Sequence, residues 1–198
     1  GGVGQMAVQL AQLQGVKVTA SAGSVERVKR LQQLGAHGCL HSEVEAHGES
    51  FIKVLDTFGG DSLQMALRKA SINGKVATIN ARNNFDLTQA HAKGLSIHAV
   101  FMLLPLLTGQ GREAHGQFLQ QLSAWINNGK IAALEVEACA ASEVAAVHQR
   151  HEAGELKHKV EFVWQSGLFN ANHLAGLQTE LPAWVLQTIV QCFVGVAA

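Results

Sequence analysis

Tyrosine is absent from this 198-residue sequence, so no phenol can serve as a general acid in whatever chemistry the chain takes part in. Cysteine is scarce: Cys39, Cys139 and Cys192 are widely spaced, which leaves no even disulfide framework and no Cys-x-x-Cys pair for zinc. A reducing, cytoplasmic setting is the expectation. Charge is low at 15%, and fifteen basic residues balance fifteen acidic ones, which argues against steering toward nucleic acid or an acidic membrane face. The amino end has neither a basic segment nor an apolar core with a cleavage site, so no secretory signal is expected. The uncharged stretch from Leu181 to Ala198 carries Gln187, Thr188 and Gln191 and has no basic flank; a packing helix or a tail is expected there, not a membrane span. With 47% hydrophobic residues and no repeat or low-complexity tract, the chain can bury a substantial core in one or two domains.

The opening stretch, Gly1-Gly2-Val3-Gly4-Gln5, runs straight into the amphipathic pattern Met6-Ala7-Val8-Gln9-Leu10-Ala11. A helix amino end presents unpaired N–H groups and partial positive charge, and glycines let a phosphate approach them closely. The dinucleotide fingerprint G-x-G-x-x-G would be met here only from its second glycine onward, so its first glycine and the preceding strand are expected upstream of residue 1.

The periodicity then predicts a helix from about Gly4 to Gln14, a strand Val16–Ser21, and a helix Val25–Leu34 begun by Ser24 and stopped by Gly35. A short strand at Ala36–Leu40, a polar loop or stunted helix from Ser42 to Ser50, and a buried-type strand Phe51–Phe58 follow. A helix from Asp61 to Ser71, a turn at Asn73-Gly74, a strand Lys75–Asn80, a strand Leu95–Met102 before Pro105, and a helix from Arg112 to Asn128 complete the run. That last helix is expected to turn Phe118, Leu119, Leu122, Trp125 and Ile126 inward. Beyond Lys130 the texture changes, with a helix over about Ala141–Ala153 and a strand Lys159–Trp164. Alternation of strands and helices predicts an α/β fold around a parallel sheet covered on both faces.

Several landmarks keep one order and spacing: the Gly1–Ala11 stretch, Ala22-Gly23-Ser24-Val25-Glu26-Arg27, Leu34-Gly35-Ala36, Leu55-Asp56-Thr57-Phe58-Gly59-Gly60, Asn73-Gly74-Lys75-Val76, and Glu152-Ala153-Gly154 leading to His158-Lys159-Val160. In these the sequence resembles the nucleotide-binding half of the medium-chain dehydrogenase/reductases, in the zinc-independent quinone reductase and zinc-type alcohol dehydrogenase-like branch. The resemblance implies a Rossmann-like, doubly wound parallel sheet lacking its first strand, and a carboxyl-terminal segment belonging to a catalytic lobe that is absent. It divides the chain into a truncated dinucleotide-binding domain (1–129), a returning segment of the catalytic lobe (130–164) and an unassigned extension (165–198). It also implies hydride transfer between a nicotinamide cofactor and a quinone, an enone or an alcohol/carbonyl pair. Between Gly35-Ala36 and Asp56-Thr57 this chain departs from the family, with room for little more than a loop and a strand where a full helix is usual.

Gly1, Gly2, Val3, Gly4 and Gln5 are the candidates to cradle a pyrophosphate. At the end of the second strand, where an acid would hold the ribose hydroxyls of NAD, the residue is Ala22; Ser24 and Arg27 follow at a helix start and could hold a 2′-phosphate. NADP(H) is therefore expected over NAD(H), although Ser24 also reads as an ordinary N-cap and Arg27 as a solvated helix residue. Strand ends place Thr57, Asn80, Ala81, Phe101 and Met102 along the adenosine or nicotinamide, on position alone. Asp56 reads equally as a local cap and Phe101 equally as core. His148 and His151 lie one helical turn apart with no third ligand at a recognisable spacing, so no zinc is expected. No catalytic residue can be assigned. The expected partner is a small-molecule substrate, and the 95–102 strand offers a homodimer surface. The competing reading is a non-catalytic nucleotide-binding or dimerisation module.

Overall fold

The computed structural model describes residues 1–46, 48–156 and 158–163. The Trp164 end of the last strand, the 165–198 extension and the uncharged stretch from Leu181 lie outside them. The chain divides into two compact units, one formed by Val3–Ala132 and one by Gly1–Gly2 with the chain from Ala133 onward.

The larger unit begins with α1 (Gly2–Leu13), which buries Val8 and Gln9 and ends where Gly15 takes φ +71° and donates to the Gln12 carbonyl. β1 (Thr19–Ala22) leads to Ser24, whose extended backbone and side-chain oxygen, accepting from the Arg27 amide, cap α2 (Val25–Gln33). Gly35, at φ +90°, turns the chain into β2 (His37–Leu40), which pairs in parallel with β1 from Thr19↔His37 to Ala22↔Leu40. Val8, Ala22, Leu31 and Ala36 close a small core between these elements.

A 3-10 turn at His41–Glu43 precedes the second sheet. β3 (Phe51–Asp56), α3 (Asp61–Lys69), β4 (Ala70–Thr78), α4 (Thr88–Lys93) and β5 (Ser96–Ala99) form a parallel sheet in the order β3-β4-β5. Its core joins Leu63, Ala66, Leu67, Ala70, Val76 and Ala90, with Leu67 and Val76 fully buried. Full burial of each such side chain contributes roughly 1.5–3 kcal/mol. No strand precedes α1 among the described residues, and β1 and β3 belong to separate sheets. The architecture is Rossmann-like, parallel strands alternating with flanking helices.

Two expectations, at Asn73-Gly74 and along the long helix, are corrected, and one helix is added. Asn73-Gly74 is not a turn between elements but a kink inside β4: Asn73 stands at φ +57° and the β3–β4 register jumps between Phe51 and Lys53. Pro105 opens a short helix, α5 (Leu104–Thr108), that the sequence did not announce. The long helix α6 (Arg112–Asn127) buries none of its residues, and Phe118 is 46% exposed, because no described strand or helix packs extensively on its apolar stripe.

In the smaller unit β6 (Val136–Ala140) pairs in parallel with β7 (Lys159–Val163), joined through α7 (Val144–Glu152). Arg150 makes a two-pronged bond to Glu137 at 2.7 and 3.1 Å, pinning α7 to β6. Lys159 lies against Gly2, where a Cβ would come within 2.8 Å of its Cε, so glycine there admits a neighbouring side chain.

Candidate functional site

The carboxyl ends of parallel strands are where loops of an open α/β sheet bind ligands, and most of the sequence-selected residues stand at such ends. Gly1 and Gly4 leave open space, since a Cβ on either would meet nothing within 4 Å, and the first turn of α1 carries no acidic residue. Val3 is about half exposed at 48%, and Gln5 is half-buried.

At the end of β1, Ala22 is buried and carries no carboxylate, while Ser24 and Arg27 are exposed at the amino end of α2. The Ser24 oxygen accepts from the Arg27 backbone at 3.3 Å, so Ser24 is a helix cap; its hydroxyl hydrogen stays available to an acceptor. Two residues not selected from the sequence join them. Ser21 Oγ lies 2.9 Å from His41 Nδ1, tying the end of β1 to the residue that follows β2. The signal for this pair was positional only: each sits within a residue of a parallel strand's carboxyl end.

The second sheet builds its end around a buried carboxylate. Asp56, 3% exposed, accepts from the Phe58 amide at 3.2 Å, from the Gly59 amide at 2.9 Å, and from the hydroxyl of fully buried Thr78 at 2.6 Å. The Asn80 amide donates to that hydroxyl at 3.1 Å, and Asn80 Nδ2 donates to the Phe58 carbonyl at 2.8 Å. Gly59, at φ +87°, is obligatory: a Cβ would come within 2.5 Å of the Asn80 carbonyl. Asp56 is thus a local cap and a cross-strand partner at once. The ring joins the end of β3 to the end of β4, and Val100 N donates to the Thr78 carbonyl at 2.8 Å, continuing the contact toward β5.

The structure therefore brings Thr57, Asn80 and the start of the 100–102 segment together. Thr57 and Ala81 are exposed, and Phe101 and Met102 are about half exposed at 48% and 50%, so Phe101 is not core. Among the described residues no group of three or more His, Cys, Asp and Glu is placed to hold a metal ion. A recess of about 490 Å³ lined by Gln9, Gln12, Leu13, Gln33 and Lys130 lies at the carboxyl ends of α1 and α2, away from the strand ends. Buried Gln9 borders it and bonds both ways with the Ala132 backbone, an anchor with no sequence signal.

Residues 2–119 match the family model described as zinc-binding dehydrogenase. The chain belongs to the zinc-binding dehydrogenase family. With it comes membership of the medium-chain dehydrogenase/reductase superfamily, to whose carboxyl-terminal part this chain corresponds. It is 28% identical over 146 residues to prostaglandin reductase 1 of Bos taurus, an alignment covering 66% of this chain and 44% of that protein. Its fold is similar to that of an alcohol dehydrogenase superfamily protein from Novosphingobium aromaticivorans, at TM-score 0.72 and 24% identity over 80% of this chain and 51% of that one. A mycobacterial protein solved in complex with NADPH is similar in fold at TM-score 0.65 and 22% identity, covering 81% of this chain and 52% of that one. The chain spans about half the length of these relatives. For the zinc in the family's name the described residues offer no ligand set.

Proposed function

We propose that this chain is the cofactor-binding part of an NADP(H)-dependent medium-chain oxidoreductase acting on a quinone, an enone or an alcohol/carbonyl substrate. The observation that carries the cofactor preference is the end of β1, where buried Ala22 leaves no carboxylate to repel a 2′-phosphate and exposed Ser24 and Arg27 supply a hydroxyl and a guanidinium. The open space at Gly1 and Gly4 fits a diphosphate approaching the α1 backbone, with Val3 and Gln5 beside them. Thr57, Asn80, Ala81, Phe101 and Met102 would line the adenosine or nicotinamide. When bound, the dinucleotide supplies or accepts the hydride; the residues of this chain bind it, orient it and keep water from it.

Titration of the chain with NADPH and NADH, followed by cofactor fluorescence, tests the reading. A charge-assisted contact to the extra phosphate favours NADPH by about tenfold or more. Equal or tighter binding of NADH overturns the preference.

A second role is favoured by β5, an edge strand exposed along its whole length. Its outer edge, unpaired among the described residues, with Ile97, Val100, Phe101 and Met102 each 40–50% exposed, is a surface on which a second copy could continue the sheet. Sedimentation velocity checks this: a dimer in the parent chain and a monomer in Ile97→Lys are expected, and a monomeric parent removes the proposal.

A further inference from the structure

His41 stands beside the proposed cofactor site, tied to it by Ser21. It is the first residue after β2, next to the end of β1 through the Ala22↔Leu40 pairing. Its Nδ1 is held 2.9 Å from Ser21 Oγ. With the serine hydroxyl donating, the neutral ring keeps its proton on Nε2, and the protonated ring carries one there as well. The Cδ2–Nε2 edge is the part of the ring that lies beside Gly23, with Cδ2 at 3.7 Å and Nε2 at 3.9 Å from a Cβ placed on that glycine. Gly23 stands between Ala22 and Ser24, so the ring edge carrying the donor borders the turn that leads to Ser24 and Arg27. The nearest acid on His41's own turn is already engaged: the Glu43 carboxylate accepts from the Leu40 amide at 2.7 Å. Glu26 stands on the first turn of α2.

We infer that His41 is a specificity-determining residue for the 2′-phosphate of the adenosine ribose, donating from Nε2 while Ser21 fixes the ring. Ser21 is then a positioning residue. This inference rests on the NADP(H) reading above and deepens it, because it adds to Ser24 and Arg27 a third donor, from the end of a second strand.

The test uses the chain as it stands, with adenosine 2′,5′-bisphosphate and 5′-AMP as paired probes in calorimetric titrations. His41→Ala is expected to weaken the bisphosphate about tenfold or more and to change 5′-AMP less than about twofold, the loss of one charge-assisted hydrogen bond. Ser21→Ala is expected to weaken only the bisphosphate, by about threefold, since it frees the ring without removing it. In NMR spectra of the parent chain, the His41 imidazole resonances should shift with the bisphosphate and not with 5′-AMP. Equal weakening of both probes by His41→Ala, or no change in either while the parent chain binds both, overturns the role of His41 and leaves the cofactor reading standing. Failure of the parent chain to bind either probe overturns that reading, and the role of His41 with it.

Discussion

A single buried hydroxyl, that of Thr78, joins two strand ends by donating to Asp56 and accepting from the Asn80 amide. Thr78→Val keeps the shape and removes both bonds, leaving a buried carboxylate oxygen short of a donor; a loss of about 1–3 kcal/mol is expected from urea unfolding. Thr78→Ser should retain most of the stability, and a valine variant as stable as the parent would show that the ring holds nothing. None of this was legible beforehand, because the partners lie 22 positions apart and sequence spacing does not reveal which strands become neighbours. Ser24 was legible, since an N-cap is a local arrangement, a hydroxyl at the start of a helical stripe. Ala22 was legible too, as an absence at a known place. His41 was not, because its meaning comes from Ser21 on another strand. Glu137 shows what a charge on the surface of the smaller unit does. Its bond to Arg150 holds its carboxyl below the ordinary glutamate value of 4.5. The folded state therefore takes up this proton less readily than the unfolded chain, so the stability it contributes is complete above about pH 4.5 and is lost as pH falls through the lowered value. Thermal melts of Glu137→Gln should show a shallower acid limb than those of the parent chain. Parallel limbs would count against the pair.

Helices with both an apolar stripe and a glycine stop are legible as helices in the sequence, and the limits of strands less so. α2 begins where Ser24 caps it and gives way to Gly35 as expected. β1 begins at Thr19, not Val16, because its partner β2 begins at His37 and only paired residues form a ladder. Asn73-Gly74 has the pattern of a break, but it lies in a bulge of β4, where residues 71–74 stand against Ile52 of β3 between the Phe51↔Ala70 and Lys53↔Lys75 pairs, a mismatch that no local pattern contains. α6 has the periodicity of a buried helix and buries nothing among the described residues, since periodicity names a face and not what covers it. One tie between elements is a lysine. Lys93, in the last turn of α4, donates to the carbonyls of Leu67, Arg68 and Ala70 at 3.4, 2.6 and 3.1 Å, closing the carboxyl end of α3. A cation there satisfies orphan carbonyls and complements the helix dipole. Lys93→Met keeps the aliphatic stem and should cost about 1–2 kcal/mol in chemical denaturation; an unchanged midpoint would assign the capping to solvent.

For the whole molecule, the α/β class and the parallel alternation of strands with helices were visible in the sequence because they depend on pattern alone, whereas the Rossmann-like reading came with the family resemblance. The division of strands into sheets was not, because it depends on which edges meet. Among the described residues the two cores of the larger unit bury six and four side chains, and its sheets present unpaired edges. So little shared burial predicts marginal stability: a broad melt below the roughly 45–65 °C usual for mesophile domains, raised by saturating NADPH. A sharp transition inside that range without nucleotide would contradict it. The two sulfurs allow the halves to be followed separately. Cys39 in β2 and Cys139 in β6 are free and buried, and desolvation raises both thiols, with the Glu43 and Glu137 charges adding to it. Alkylation needs an accessible thiolate, so iodoacetamide should reach each cysteine only when its strand opens. With Cys192 replaced by serine, mass-resolved labelling becomes a pair of clocks, one ticking with each half of the chain, and a bound nucleotide should slow the clock at Cys39.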